Sequence, residues 1–176
     1  MTESGIVFYF TGPPSSGKSR LARNVAQKLT EQGVLPVVLD GDQLRAALSP
    51  PPGYDSAARD AFYDTLAKMS ALFARQGHVV LVAATAHLRR YRDRARAEAP
   101  RFAEVLLETP LEECHRRDSK GLYEKVREGA LTNVPGADLA YEPPHEPELR
   151  ASGGDDERVC ESICERVKKL RASAPA

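Results

Sequence analysis

The stretch Phe8-Tyr9-Phe10-Thr11-Gly12-Pro13-Pro14-Ser15-Ser16-Gly17-Lys18-Ser19 decides the fold of this chain. An apolar run from Ile6 to Phe10 predicts a buried strand, and it leads directly into the pattern Gly-x-x-x-x-Gly-Lys-Ser. The next segment is predicted to be an amphipathic helix, with these apolar residues on one face: Leu21, Ala22, Val25, Ala26 and Leu29. A strand, this loop and a helix in that order indicate a phosphate-binding loop rather than an ordinary Gly/Ser turn.

The residue types in the loop suit a nucleoside triphosphate with Mg²⁺. Glycine at positions 12 and 17 lets the backbone N–H groups approach phosphate oxygens at a helix N-terminus. Lys18 is predicted to reach the β- and γ-phosphates, and the Ser19 hydroxyl to ligate Mg²⁺. The sequence therefore predicts ATP and Mg²⁺ as cofactors and the following nucleotide-binding residues in this stretch: Gly12, Ser15, Ser16, Gly17, Lys18, Ser19 and Arg20.

Composition limits the other classes of function. The 176 residues fit a single domain, and 25 basic residues balance 25 acidic ones, so the net charge does not favour nucleic acid or an anionic membrane as a partner. There is no long apolar run, and Met1 to Ser4 lack the basic start of a secretory signal, so we expect a cytoplasmic protein.

The three cysteines agree with a reducing compartment. Cys160 and Cys164 are one helical turn apart, which is compatible with half of a metal site or with a core face. No His or Cys partner lies nearby in the sequence, so we expect core packing.

A second strand is predicted from 34 to 39, and Pro36 places it at a sheet edge or at the start of the strand. It ends in Asp40-Gly41-Asp42, where parallel sheets place their ligands. Asp42 is therefore the candidate for the general base and for a Mg²⁺ ligand, while capping of the next helix is a compatible alternative.

Further strands and helices alternate along the chain. Helices are predicted at 56–76 and 155–170, with strands at 78–84 and 102–107, and Thr109 to Glu112 have the pattern of a capped helix start. The apolar stripe of the first of these helices is predicted to contain Ala58, Phe62, Leu66, Met69 and Phe73. In the arginine-rich segment 89–96, we expect one or two side chains at a phosphate site and the others in solvent.

Residues 118–150 are polar and rich in Gly and Pro, which is typical of a lid or binding loop. The whole chain, 1–176, is thus predicted to be one α/β domain. Its sheet is mostly parallel and doubly wound, in three layers, with a lid at about 118–150.

The chain resembles the adenylylsulfate kinases, a family of P-loop kinases that use ATP to phosphorylate the ribose 3′-hydroxyl of adenylylsulfate. The resemblance spans roughly residues 6 to 149, and the motifs that carry it are the phosphate loop, Leu39-Asp40-Gly41-Asp42-x-x-Arg45, Thr109-Pro110-Leu111-Glu112-Glu113-Cys114, Arg117-Asp118-x-Lys120-Gly121-Leu122-Tyr123 and Tyr141-Glu142-Pro143-Pro144. It implies the P-loop kinase fold, ATP-dependent phosphoryl transfer to a hydroxyl and, since family members are often dimers, a possible homodimer. Arg117 and Lys120 are then candidates for phosphate contacts, with a surface ion pair as the alternative.

The resemblance also assigns an acceptor site, in which Arg45, Arg59 and Arg89 are expected to bind an anionic group. Asp42, Tyr54, Phe62, Thr132, Asn133 and Val134 complete the expected substrate-binding set.

Four positions of this region depart from the family. Phe62 stands where the family usually has Asn, Val134 where it has a phenylalanine that stacks on adenine opposite the aromatic matched by Tyr54, Thr132 where it has Lys, and Ala86 where it has Ser. Loss of one stacking ring removes about 1–3 kcal/mol. Three functions stay open: adenylylsulfate kinase, a kinase of this fold for another small hydroxyl compound, and a nucleotide-binding protein without turnover. Phe62 either borders the site or packs in the core.

Overall fold

The computed structural model describes residues 5–172 and has a parallel sheet with helices on both faces. The strands are β1 (Ile6–Thr11), β2 (Val37–Asp40), β3 (Val79–Ala83), β4 (Phe102–Leu107) and β5 (Leu149–Ala151), in the order β2-β3-β1-β4-β5. The helices are α1 (Lys18–Glu31), α2 (Gly41–Ala47), α3 (Ser56–Arg75), α4 (Arg89–Glu98), α5 (Leu111–Arg117), α6 (Leu122–Arg127) and α7 (Glu157–Ala172). Every strand pair is parallel, so the predicted doubly wound α/β fold is confirmed.

Alternate residues of the central strand β1 supply the two halves of the core. Phe8 and Phe10 pack with α1 and α7 on one face of the sheet, whereas Val7 and Tyr9 pack with α3 and α4 on the other. Successive side chains of a strand point to opposite faces, so a near-continuous apolar run is what a strand covered on both sides requires. The three layers follow directly from this run.

The edge strand β2 is shorter than the sequence predicts. It begins at Val37 rather than at 34, and it pairs with β3 alone. Pro36 has no N–H to give to a ladder, which explains why pairing starts after it. The predicted edge position of the strand is confirmed.

Helix α3 buries only part of the predicted stripe, of which Phe62 and Leu66 lie in the core. Ala58, Met69 and Phe73 are only partly buried. The fully buried positions include several small residues, namely Ala67, Ser70, Ala71 and Ala74. Small side chains let α3 lie close to β3 and α4, and this preference is not visible in a pattern of large apolar residues alone.

The predicted capping box at the start of α5 is wrong. The N-cap position is Pro110, and no side chain caps the helix. The Thr109 hydroxyl is buried and donates instead to the Ser16 carbonyl at 2.8 Å. A hydrogen bond to a buried phosphate-loop carbonyl satisfies a group that would otherwise be costly to leave unpaired.

The arginines of α4 include a fully buried one, against expectation. Arg92 is 1 % exposed and pairs with Glu104 at 2.6 Å between Nε and Oε1. Its remaining N–H groups donate to the carbonyls of Ala86 and Glu142. Because a buried charge needs partners for all its donors, Arg92 ties three segments of the chain together.

The region predicted as a lid contains a helix and part of a strand that the sequence does not predict. It includes α6, and its last residues, Leu149 and Arg150, belong to β5. From Tyr141 onward the chain is anchored: the Tyr141 hydroxyl is 2.9 Å from the Thr11 hydroxyl, and Glu148 pairs with Arg96. The end of the predicted lid therefore overlaps β5, and the chain from Tyr141 onward is bound to β1 and α4.

Helix α7 has its predicted core face. Cys160 and Cys164 are buried and free, and they belong to the core cluster formed with α1 and β1, which confirms their apolar role. Asp156 precedes the helix and accepts hydrogen bonds from the N–H groups of Ser152 and Val159. Within residues 5–172, no helix combines the length and the apolar character that crossing a membrane requires.

Candidate active site

The phosphate loop connects the carboxyl end of β1 to α1 and lies on the side of the sheet where parallel strands place ligands. Gly17 has a φ of +101°, and a Cβ there would lie 2.6 Å from the Gly154 nitrogen, so only glycine fits. Ser15 has a φ of +62°, so its backbone is strained for a residue with a Cβ.

Lys18 is held by the loop itself. Its Nζ donates to the carbonyls of Gly12 at 2.9 Å and Pro13 at 2.7 Å. Burial lowers the pKa of Lys18 to about 8, and the nearby Asp42 carboxylate opposes that shift. The partly buried ammonium is thus held in the phosphate loop, where attraction to a phosphate is stronger than in bulk water.

We expect ATP binding to take up a proton at about pH 8.5, because phosphate oxygens favour the protonated form of Lys18 and raise its pKa above the value in the free protein. Affinity for ATP should accordingly fall as the pH rises through about 8. Calorimetric titrations in two buffers of different ionisation enthalpy measure the uptake, with about pH 6.5 as the control, where Lys18 is already protonated. Binding enthalpies at the higher pH that do not depend on the buffer would contradict this expectation.

Ser16 supplies a second polar group to the loop. Its hydroxyl is buried and has no hydrogen-bond partner within residues 5–172. Buried hydroxyls are nearly always paired, so an unpaired one in a phosphate loop fits contact with a phosphate oxygen.

Ser19 lies against Asp40, not against Asp42. Its hydroxyl donates to Asp40 Oδ2, and Asp40 Oδ1 accepts from the N–H groups of Asp42 and Gln43 at the start of α2. Asp40 is therefore the N-cap of α2, and the capping role considered for Asp42 falls to it. A hydroxyl beside a carboxylate is the kind of oxygen donor set that Mg²⁺ prefers.

Asp42 forms an ion pair with Lys120, which lies between α5 and α6. Both side chains are more than half exposed, so the pair is weak and open to exchange for a ligand. Arg117 pairs with Glu113 at 2.8 Å, which is the surface-pair alternative. Arg20 points to Asp155 at 2.6 Å and is 66 % exposed, so the structure does not bring it into the loop.

Arg45, predicted for the acceptor site, is held between two aromatic rings. Its guanidinium carbon lies 3.8 Å from the centroid of the Phe62 ring and 4.6 Å from that of the Tyr54 ring. It donates to the carbonyls of Pro52 and Gly53, the latter at 2.9 Å. Arg45 is thus held in a cation–π sandwich.

Arg59 links α3 to the lid. It is 7 % exposed and donates to the Asn133 carbonyl. The loop that follows is closed by Asp138, which accepts from the N–H groups of Asn133 and Val134. Val134 is 5 % exposed, and the Thr132 hydroxyl is 3.4 Å from the Asn133 amide nitrogen. The structure therefore brings the predicted lid residues to Arg59.

The other predicted acceptor residues differ in their surroundings. Tyr54 is 61 % exposed, which leaves much of its ring accessible to a ligand. Arg89 is bound to the segment after the lid, since its N–H donates to Glu142 Oε2 at 2.8 Å and its guanidinium to the Pro143 carbonyl. Arg89 thus lies at the edge of the site.

Phe62 is a core residue, 2 % exposed and in edge-to-face contact with Tyr63. We expect Phe62→Asn to lower the free energy of unfolding by about 3 kcal/mol or more, because it removes a buried ring and leaves an amide in apolar surroundings. Chemical denaturation measures the loss. The matched control is Leu72→Asn on the exposed face of the same helix, for which a small change is expected. Equal stabilities of the two variants would contradict the core role.

Three residues of the site were not identified from the sequence. The sequence favours Asp42 over Asp40, it predicts a capping role for Thr109, and it gives no role to Tyr123, whose hydroxyl donates to the Pro14 carbonyl at 2.9 Å. Only Asp40 had a usable signal, namely its position at the end of a predicted strand.

The parallel sheet and this loop define a P-loop kinase, the class of ATP-dependent enzymes that transfer a phosphoryl group. Residues 4–152 match the family model described as adenylylsulphate kinase. The chain therefore belongs to the adenylylsulphate kinase family.

Individual relatives support this membership. The adenylyl-sulfate kinase of Synechococcus sp. (strain JA-3-3Ab) is 39% identical over 149 residues, which cover 85% of each protein. The bifunctional enzyme CysN/CysC of Mycobacterium tuberculosis is 40% identical over 174 residues, and the chain spans only 28% of that enzyme's length. The solved structure of the M. tuberculosis APS kinase CysC in complex with AMPPNP and APS has a TM-score of 0.83 at 38% identity, covering 97% of this chain and 99% of that one.

Proposed function

We propose that the chain catalyses transfer of the γ-phosphoryl group of ATP to the 3′-hydroxyl of adenylylsulfate, which gives phosphoadenylylsulfate and ADP. The observation that carries this proposal is the position of Asp40 and Asp42 opposite the phosphate loop, with Ser19 against Asp40 and the Lys18 pKa sensitive to Asp42. The acceptor is a small anion, for which Arg45 and Arg59 provide the positive charge.

The residues fit ATP and Mg²⁺. Lys18, the unpartnered Ser16 hydroxyl and the loop N–H groups are suited to phosphate oxygens. Within residues 5–172 there is no group of three or more acidic, His or Cys side chains that could hold a metal ion. Mg²⁺ usually takes one or two protein ligands together with phosphates, and we propose Ser19 and Asp40 for that role, in place of the Ser19 and Asp42 expected from the sequence. When bound there, Mg²⁺ would supply positive charge to offset that of the phosphates.

Asp42 is proposed as the residue that receives the acceptor. Its carboxylate orients the hydroxyl and accepts its proton as the oxygen forms a bond to phosphorus and the bond to the ADP oxygen breaks. In the free protein Lys120 pairs with the Asp42 carboxylate. This ion pair must break before Asp42 can accept a proton from the acceptor hydroxyl. Lys120 is then free to contact the phosphates.

Release of ADP in a coupled assay, with and without adenylylsulfate, tests the proposal. Strong dependence on adenylylsulfate supports it. ADP release that adenylylsulfate does not stimulate, but another small hydroxyl compound does, would favour a related kinase, a possibility supported by the aliphatic Val134 in place of a stacking ring. Nucleotide binding without turnover of any acceptor would favour a binding protein.

The homodimer expected from the resemblance stays a prediction, which gel filtration with light scattering tests.

We expect the lid between residues 129 and 140 to exchange its amide hydrogens quickly in the free protein and slowly with nucleotide and acceptor bound. Most of this segment is exposed, and Val134 is its one buried side chain, so little packing opposes local opening. Hydrogen exchange followed by mass spectrometry measures the difference, with β1 as an internal control that stays protected. Strong protection of the segment in the free protein would contradict a mobile lid.

A further inference from the structure

The loop between β3 and α4 is held in a strained conformation at the ligand-binding edge of the sheet. Ala86 has a φ of +40°, which is unfavourable for a residue with a Cβ. Its N–H donates to the Tyr63 hydroxyl at 3.0 Å, and its carbonyl accepts from buried Arg92. Strain that surrounding contacts maintain is concentrated at functional sites.

His87, the next residue, has a buried nitrogen without a partner. The side chain is 4 % exposed, and Nδ1 makes no hydrogen bond within the described part of the chain, 5–172. The ring packs edge-on against Tyr91, and the backbone carbonyl of His87 accepts from the Glu142 N–H at 2.8 Å. Buried polar atoms are nearly always paired, so this nitrogen indicates a contact with a ligand.

The charges around His87 belong to the acceptor side. Burial lowers the pKa of His87 to about 4, and the positive charge of Arg59 is the next largest cause, while Glu142 opposes it. The imidazole is therefore neutral near pH 7, and it offers one N–H donor within the field of the positively charged Arg59.

A row of rings connects His87 to the position where this chain departs from its family. Phe62, Tyr63, Tyr91 and His87 follow one another with centroid separations of 5.4, 4.4 and 5.6 Å. By the family resemblance Phe62 stands where an Asn is usual, and a phenylalanine ring cannot donate a hydrogen bond. His87 lies at the other end of this row, next to Glu142, whose carboxylate accepts from the N–H of Arg89, a residue of the predicted acceptor set.

We propose that His87 is an acceptor-binding residue that donates a hydrogen bond from Nδ1 to the anionic group of the acceptor, next to Arg59. The assignment rests on the proposed function. Adenylylsulfate would meet one cationic and one neutral donor at this end of the site, where its relatives use an arginine and an amide.

Two substitutions separate hydrogen bonding from packing. His87→Phe keeps a ring against Tyr91 and removes the donor, so we expect the KM for adenylylsulfate to rise roughly tenfold while the KM for ATP stays unchanged. His87→Asn places an amide nitrogen near the Nδ1 position and should recover most of the affinity. His145→Phe, at an exposed histidine after the lid, is the matched control. An unchanged KM for adenylylsulfate in His87→Phe, or equal increases for both substrates, would overturn the proposal.

A binding measurement distinguishes this proposal from the proposed function. In protein labelled with ¹⁵N-histidine, the His87 signals are assigned from their absence in His87→Phe and followed as adenylylsulfate is added in the presence of ADP. A shift of the Nδ1 signal supports the proposal even if the wild-type protein does not turn adenylylsulfate over, in which case the proposed function alone fails. Turnover of adenylylsulfate without any shift of the His87 signals overturns the role of His87 and leaves the proposed function intact.

Discussion

Lys18→Ala is expected to lower ATP-dependent phosphoryl transfer by on the order of 10²–10³-fold, the loss typical of removing one donor that stabilises transition-state charge. Lys18 Nζ is bonded only to the two loop carbonyls of Gly12 and Pro13 within residues 5–172, so it is the loop's own cation for the phosphates. Initial rates with saturating acceptor, over a range of ATP concentrations, measure the effect on both kcat and KM.

The fold should tolerate this change. Burial lowers the pKa of Lys18, which means that its positive charge is less favourable in the folded state than in the unfolded state. Removing that charge therefore does not weaken the fold at neutral pH. Thermal unfolding should therefore give a Tm equal to or above that of the wild type. Lys28→Ala is the matched control, since Lys28 is also on α1 but pairs with Glu157 outside the site. Undiminished turnover in Lys18→Ala would remove the basis of the proposed function.

Asp42→Asn is expected to lower kcat by about 10²–10⁴-fold, the usual range for loss of a group that takes a proton in the transition state. The amide keeps the size and shape of the side chain, but it cannot accept the proton and cannot pair with Lys120 by charge. Because the side chain is 63 % exposed, stability should change little. Rates under saturating ATP and acceptor measure the loss.

Two further variants show what Asp42 does. Asp40→Asn should raise the Mg²⁺ concentration needed for half-maximal rate, whereas Asp42→Asn should leave that concentration nearly unchanged. Asp93→Asn, at an exposed position of α4, controls for the loss of a surface carboxylate. If Asp42→Asn changes only the apparent affinity for ATP or Mg²⁺, Asp42 belongs to the metal site and not to proton transfer.

Local patterns predict most of the architecture. The apolar run into the phosphate loop predicts β1 and α1, and the periodic faces predict α7 and its buried cysteines, since burial on a helix or strand repeats with the geometry of that element. The phosphate-loop motif is equally local, because the backbone of one short segment forms it, whereas Arg20, predicted with the loop, pairs with Asp155 instead.

Which of two similar side chains takes part in the site depends on contacts between residues that are far apart in the sequence. The Ser19 hydroxyl donates to Asp40 rather than to Asp42, and the Thr109 hydroxyl donates to the Ser16 carbonyl instead of capping α5. No local pattern distinguishes two aspartates two residues apart, because which of them meets Ser19 depends on where the end of β2 lies relative to α1.

The amino-acid sequence by itself determined the parallel α/β fold, the nucleotide loop and the family of this protein. The tertiary structure alone decided that Arg92 is buried, that Phe62 packs in the core under Arg45, and that β5 completes the sheet. Charged and polar side chains can be buried wherever partners from distant segments satisfy them, and a three-residue strand forms only because β4 offers it a free edge. Such partners become visible only when the chain is folded.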